Sequence, residues 1–171
     1  VGGGQEGGRR SGTENVPFIV ALGEAAERMQ RCLTNGAETG VRRMRDRFES
    51  QLLERVPGTV VNGDREHRLP TTSSLTFPGL EAVELLILLD KAGISCSAGS
   101  ACHSASVHPS HVLEAMGFSA QHAASTLRFS FSRFNTEADA DTAVEIVCQI
   151  AAKLRALNAT KEPGSPVVTN G

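Results

Sequence analysis

Apolar residues recur at helical spacing through the first third of the chain and at strand spacing further on. Phe18, Leu22, Ala25, Met29 and Leu33 fall three or four apart, and Val41, Met44, Phe48, Leu52 and Val56 repeat the pattern, so 17–56 is predicted helical. Asn35-Gly36 and Gly40 interrupt it, giving either one long helix with a weak point or two helices in line. Between the apolar positions, Arg42, Arg43, Arg45, Arg47, Glu49 and Glu54 read as a solvated face. Cys32 lies near the apolar stripe as a packed thiol. Pro57-Gly58 is a turn, 59–62 a short strand ended by Asn62-Gly63-Asp64, 65–68 a charged loop, and 69–77 an extended run closed by Pro78-Gly79.

An amphipathic helix is predicted over 80–92, with Val83, Leu86 and Leu89 inward and Gly93 as its stop. Residues 94–97 read as a strand, with Cys96 in the core. His108-Pro109 opens a short helix that runs to Met116 and stops at Gly117. Strict alternation over 126–131 predicts a strand with Leu127, Phe129 and Phe131 on one face and Arg128 and Ser130 on the other. Thr136, with Glu137 and Asp139 close behind, starts the last helix. Its stripe is Ala143, Ile146, Val147, Ile150, Ala151 and Leu154, with Cys148 structural, and from Asn158 the composition turns to a frayed tail. Strands separated by helices in this way predict an α+β fold, a small sheet covered on one face by helices and led into by the long first helix.

Composition narrows the function classes. With 171 residues, 40% apolar and 21% charged, the chain suits one compact domain or a small domain plus an extension. A net charge of −2 supplies no strong field for nucleic acid or a membrane surface, and phenylalanine is the only aromatic type, so base-stacking platforms are not expected. An unbroken apolar run such as 85–89 is far too short to span a bilayer. No secretory leader is visible, and Cys32, Cys96, Cys102 and Cys148 follow no disulfide or zinc-finger rhythm, so a reducing cytoplasmic setting is expected. Of the 17 basic residues only Lys91, Lys153 and Lys161 are lysines.

Three stretches carry candidate chemistry. Residues 1–15 are a glycine run with Arg9 and Arg10, which allows backbone amides to converge on an anion and equally reads as a mobile linker. Ser11 with Glu14 three residues on fits a capping box, so a helix is expected to start there, its first turn offering a phosphate seat. A glycine run at the start, with no Met, reads as the second part of a longer chain. Residues 93–106 break at Ala98-Gly99 and then carry Cys102 among Ser100, Ser104, Ser106 and His103. Small, polar, electropositive surroundings are what a thiol needs to act as a thiolate nucleophile, and a loop with an incidental cysteine is the plain alternative. Five residues separate Cys96 from Cys102, and no second Cys pair returns to join His103, His108 and His111, so a zinc site is not expected. Arg128 has a fork shaped to hold a carboxylate, a weak signal by itself on a strand.

Together three segments resemble the cysteine desulfurases, pyridoxal-phosphate enzymes of the class V aminotransferase-like family. They are Gly2-Gly3-Gly4-Gln5-Glu6 through Arg10-Ser11-Gly12-Thr13, then Ser97-Ala98-Gly99-Ser100-Ala101-Cys102 followed by Pro109-Ser110-His111-Val112-Leu113, and Leu127-Arg128-Phe129-Ser130 with Arg133-Phe134. The resemblance implies the small C-terminal domain of a fold-type I enzyme. Residues 1–16 would be a cofactor-phosphate loop from the large domain, 17–56 a long connecting helix, 57–157 the small α+β domain and 158–171 a disordered tail. It also implies conversion of L-cysteine to L-alanine, with the sulfur kept as a persulfide. In that reading Cys102 takes the sulfur, Arg128 holds the substrate carboxylate, and Thr13 reaches the phosphate of the partner subunit's cofactor in a homodimer.

The family's cofactor lysine belongs to a Ser/His-Lys segment upstream of Val1, and Lys91, Lys153 and Lys161 lack that context, so this part alone is expected to be inactive. Partners implied are L-cysteine and a sulfur-acceptor protein such as an iron–sulfur scaffold, with no nucleic acid, membrane or metal. Selenocysteine lyase shares the pattern, and a non-catalytic persulfide relay is the reading from a different class. His103 departs from the commoner residue after the cysteine and is expected to tune the Cys102 thiol. His103→Ala should move the pH profile of Cys102 alkylation, and an unchanged profile refutes that role.

Overall fold

Within Thr126–Ser130, Leu127 and Phe129 sink into the core whereas Arg128 and Ser130 stay exposed. The computed structural model describes residues 2–99 and 110–161, which form two compact units divided between Glu38 and Thr39.

In the first unit, β1 (Gly4–Gln5) pairs antiparallel with β2 (Arg10–Ser11) around a single 3₁₀ turn, Glu6–Gly8. Gly7 and Gly8 have φ of +66° and +82°, the left-handed backbone that glycine adopts without steric cost. The helix α1 (Val16–Thr34) starts later than the Ser11–Glu14 pattern predicts, because Ser11 is held in β2. Asn15 caps it instead, its Oδ1 accepting from the Phe18 amide at 3.3 Å, with Pro17 in the first turn. No residue of α1 is buried, and Phe18 is 73% exposed. Gly36, at φ +67°, separates α1 from α2 (Ala37–Arg55), so the helical stretch is two helices.

The second unit is built on a four-stranded antiparallel sheet of order β3-β4-β6-β5. In chain order its elements after α2 are β3 (Val60–Val61), β4 (Thr72–Thr76), α3 (Ala82–Lys91), β5 (Ser97–Ala98), α4 (His111–Ala115), α5 (Ala120–Ala124), β6 (Thr126–Ser130) and α6 (Glu137–Lys161). Helices α2, α3 and α6 cover one face, as the α+β reading expects. Phe48, Leu52, Leu75, Leu85, Leu127 and Val147 are at the centre of that core. Each such side chain stabilises by about 1.5–3 kcal/mol on leaving water. The Phe48 ring lies 5.0 Å from Phe129 and 5.2 Å from Phe131.

Some boundaries and faces differ from the pattern-based reading. Helix α3 begins at Ala82 and buries Ala82, Leu85 and Leu89, because Leu80 is already buried in the turn before it. The strand β5 starts at Ser97, so half-buried Cys96 precedes it. Helix α6 buries Ala140, Val144, Val147, Ala151 and Leu154. It continues past Asn158, whose Nδ2 donates to the Gly79 carbonyl at 3.3 Å. Thr136 begins it through reciprocal bonds: the Asp139 amide donates to Thr136 Oγ1 at 3.2 Å and the Thr136 amide to Asp139 Oδ2 at 2.8 Å.

The charged face of α2 is the main correction. Arg45 and Glu49 are each 1% exposed rather than solvated. Arg45 Nη1 donates to the Leu69 carbonyl at 2.7 Å, and its Nε and Nη2 donate to Asp46 Oδ1 at 2.9 and 2.6 Å. Glu49 accepts a two-pronged bond from Arg68, at 2.7 and 2.6 Å. These bonds fasten the connection between β3 and β4 to α2. A second set joins α2 to α6. Arg43 pairs with Glu137, Arg47 with Asp141 and Arg55 with Glu145, which sets the two helices parallel.

Glu49→Gln leaves the Arg68 guanidinium with its buried carboxylate neutralised, and loss of one member of a buried pair costs about 3–5 kcal/mol. The urea midpoint of the chain should fall accordingly with an unchanged slope. An unaltered midpoint would show that the pair carries no stability.

Candidate functional site around Arg128

β6 is an inner strand, and its two-residue alternation turns Arg128 away from the core. Ser74 of β4 and Ser97 of β5 are the Cα register partners of Arg128 on either side. Both side chains are small, so the guanidinium is flanked by hydroxyls and not by bulk. Among the described residues no hydrogen bond or ion pair engages Arg128, in contrast to Arg45 and Arg68 on α2 and its adjoining loop. An arginine in this state has five N–H donors to offer a planar acceptor.

Beyond Ser97 the chain passes Gly99, at φ +62°, into residue 100. Cys102, His103 and His108 lie outside the described residues. Thr13 belongs to the first unit, where it is exposed and its carbonyl accepts from Arg10 Nη2 at 3.4 Å. Arg128 belongs to the second unit.

One constellation escaped the pattern-based reading. On the Arg128 side of the sheet, Asn62, Thr76, Thr126 and His122 form a closed hydrogen-bonded cluster. His122 Nε2 lies 2.7 Å from Asn62 Oδ1 and 2.8 Å from Thr76 Oγ1, and the two threonine hydroxyls are 2.7 Å apart. Asn62 Nδ2 donates to Thr76 Oγ1 at 2.9 Å and to Ser74 Oγ at 3.2 Å. The helix α5, which carries His122, is too short to stand out by periodicity. Thr126 and Arg128 two residues apart on one strand face were the available signal.

Two of the described cysteines sit where the thiolate is disfavoured. Burial, with a smaller contribution from Asp90, pushes the Cys96 thiol from 9.0 up to about 11. Burial also raises Cys148. Both are therefore thiols, and not thiolates, at neutral pH. Among the described residues no three His, Cys, Asp or Glu side chains converge on a metal-sized site, and no helix is long and apolar enough to cross a membrane. A depression of about 570 Å³ opens between Gly93–Ser95, the end of β6 and the start of α6, with Phe48 at its lining, and Arg128 is not part of it.

At pH 7.5 Cys96 should hold about 100-fold less thiolate than an ordinary cysteine and alkylate at least that much more slowly. Its rate should climb as pH passes through 11. Mass-spectrometric mapping after iodoacetamide labelling checks this, and labelling of Cys96 at the rate of free cysteine would contradict it.

Comparison with known proteins identifies the family. The aminotransferase class-V family model matches residues 4–142. A cysteine desulfurase of Gluconacetobacter diazotrophicus is 50% identical over 157 residues, 92% of this chain and 39% of that protein. The cysteine desulfurase NifS of Azotobacter vinelandii is 42% identical over 170 residues, 99% of this chain and 42% of that protein. Among solved structures, a NifS-like protein from Rickettsia africae superposes with a TM-score of 0.76 at 31% identity, over 89% of this chain and 39% of that one. The chain thus spans about two fifths of the length of these relatives. On the strength of the family match across most of its length, this chain belongs to the aminotransferase class-V family.

Proposed function

We propose that this chain is the C-terminal region of a cysteine desulfurase, in which Arg128 holds the α-carboxylate of L-cysteine and Cys102 receives its sulfur. The observation that carries the reading is the outward Arg128 between Ser74 and Ser97, which has no partner among the described residues. Ser97 stands five residues before Cys102, so the backbone holds the thiol within about 18 Å of that register position. The desulfurase relatives support the reaction class.

The residues fit pyridoxal phosphate at one end and not at the other. An exposed Thr13 at the end of a glycine-rich hairpin suits a phosphate rim. Lys91 closes α3 and Lys153 lies on α6, helices that pack on the sheet face opposite Arg128, so neither offers an amine beside it. When bound, the cofactor supplies the electron sink that weakens the Cβ–Sγ bond of the amino acid. The anchoring lysine is assigned to the part of the enzyme beyond this chain, with homodimerisation bringing Thr13 to a partner's cofactor.

This chain's own steps follow from its side chains. Arg128 fixes the substrate by two parallel N–H···O bonds, which orients the sulfur and leaves the amine free. The Cys102 thiolate attacks that sulfur. The new S–S bond forms as the Cβ–Sγ bond breaks, and Cβ takes a proton to give L-alanine. Cys102 then carries a persulfide for an acceptor protein such as an iron–sulfur scaffold. Cys96 and Cys148, neither of them in a disulfide, suit the reducing cytoplasm that such chemistry needs.

In the pyridoxal-phosphate-loaded full-length protein, Cys102→Ser should abolish alanine release from L-cysteine. Full turnover in that variant would sink the proposal. Arg128→Lys, which loses the two-pronged bond, should raise the KM for L-cysteine about 10- to 100-fold. An unchanged KM removes Arg128 from the site.

A further inference from the structure

We propose that His122 is a positioning residue for Arg128, acting through the Asn62–Thr76–Thr126 cluster on the same side of the sheet. The inference rests on the reading of Arg128 as the carboxylate holder. The donor at His122 follows from what its partners can accept. Thr126 Oγ1 donates to the His122 carbonyl at 2.8 Å, and the Thr76 hydroxyl has two acceptors for its one proton, Thr126 Oγ1 at 2.7 Å and Asn62 Oδ1 at 3.2 Å. Thr76 Oγ1 accepts from Asn62 Nδ2, which leaves Asn62 Oδ1 to accept from His122. His122 therefore carries its hydrogen on Nε2 and serves as the donor that closes the ring of bonds.

This ring is anchored beside Arg128 at two points. Thr126 is two residues before it on the same face of β6. Asn62 Nδ2 also donates to Ser74 Oγ at 3.2 Å, and Ser74 is the residue directly opposite Arg128 on β4. Thr76 and Thr126 are 1% and 5% exposed, so the bonds are shielded from competing water. The His122 ring is in turn held flat against Phe118, with centroids 4.4 Å apart and planes 12° from parallel. Phe118 follows α4, its amide donating to the Leu113 carbonyl at 3.0 Å. The cluster thus joins the α4–α5 pair to the two strands that fix where the guanidinium stands.

Bonds buried this way on β6 itself and on the adjoining β4 set a side chain's position to a fraction of an ångström, and misplacement of a substrate-binding group is felt in binding and rate. The test uses the pyridoxal-phosphate-loaded full-length protein, with kinetics normalised to folded, cofactor-loaded sites. His122→Ala should raise the KM for L-cysteine about tenfold. His122→Gln, whose amide N–H stands where Nε2–H was, should restore it to within about threefold. If His122→Ala does not fold, Thr126→Val asks the same question by removing the hydroxyl that binds both His122 and Thr76, and the same rise is expected.

In an Arg128→Lys background the His122→Ala penalty should largely vanish, because coupled sites are not additive. A lowered Tm with an unchanged KM would overturn the proposal, as would a penalty that adds in full to that of Arg128→Lys. If Arg128→Lys alone leaves KM unchanged, the carboxylate reading itself has failed. If Arg128→Lys raises KM and neither His122→Ala nor Thr126→Val does, only the positioning role has failed.

Discussion

The second unit depends on the pleat of β6. A strand sends successive side chains to opposite faces, so five residues serve two environments at once. Leu127 and Phe129 close the core against α2, α3 and α6, while Thr126 and Arg128 are committed to the polar side. Moving the register by one residue would place a guanidinium among phenylalanines and two apolar side chains in water, a double penalty that fixes the pairing. The stability of the core is thus what holds the arginine outward. Ser73, opposite Phe129, shows the strictness of the rule: it is carried to the buried face, where its hydroxyl finds no partner among the described residues.

Polar interactions then refine what packing sets. The Arg45–Leu69 bond and the Arg68–Glu49 pair tie a loop to a helix, and with Arg45 and Glu49 each 1% exposed they leave little room for alternative geometries. On the other side of the sheet the Asn62–Thr76–Thr126–His122 ring connects β4, β6 and α5. Each system joins elements far apart in the chain, so each forms only when the tertiary structure does.

How much of this could be read in the sequence follows the range of the signal. The stripe from Val41 to Val56 and the alternation of β6 are local, and both give the correct buried faces, including the outward Arg128. The burial of Arg45 and Glu49 was invisible because their partners, Leu69 and Arg68, come 24 and 19 residues later. Ser11 and Glu14 match a capping box, but the β1–β2 pairing claims Ser11 and leaves the cap to Asn15. In the candidate site, Arg128 was legible from its strand, whereas the role of His122 depends on Asn62, 60 residues away.

The parallel pairing of α2 with α6 has a consequence for how the two helices find their alignment. Arg43, Arg47 and Arg55 meet Glu137, Asp141 and Glu145, and Asp141 accepts from both Arg47 and Gln51 at 2.9 Å. Cation and anion alike repeat every four residues or a multiple of four, so sliding one helix by a turn would present most charges with new opposite numbers. Coulomb attraction is nearly blind to such a slip. The apolar stripe is not, because a one-turn displacement would bring Ala140 to where Val144 fills the interior and leave a void two methyl groups in size. Alignment therefore comes from shape, and the ion pairs act as a coarse scale whose graduations all look alike.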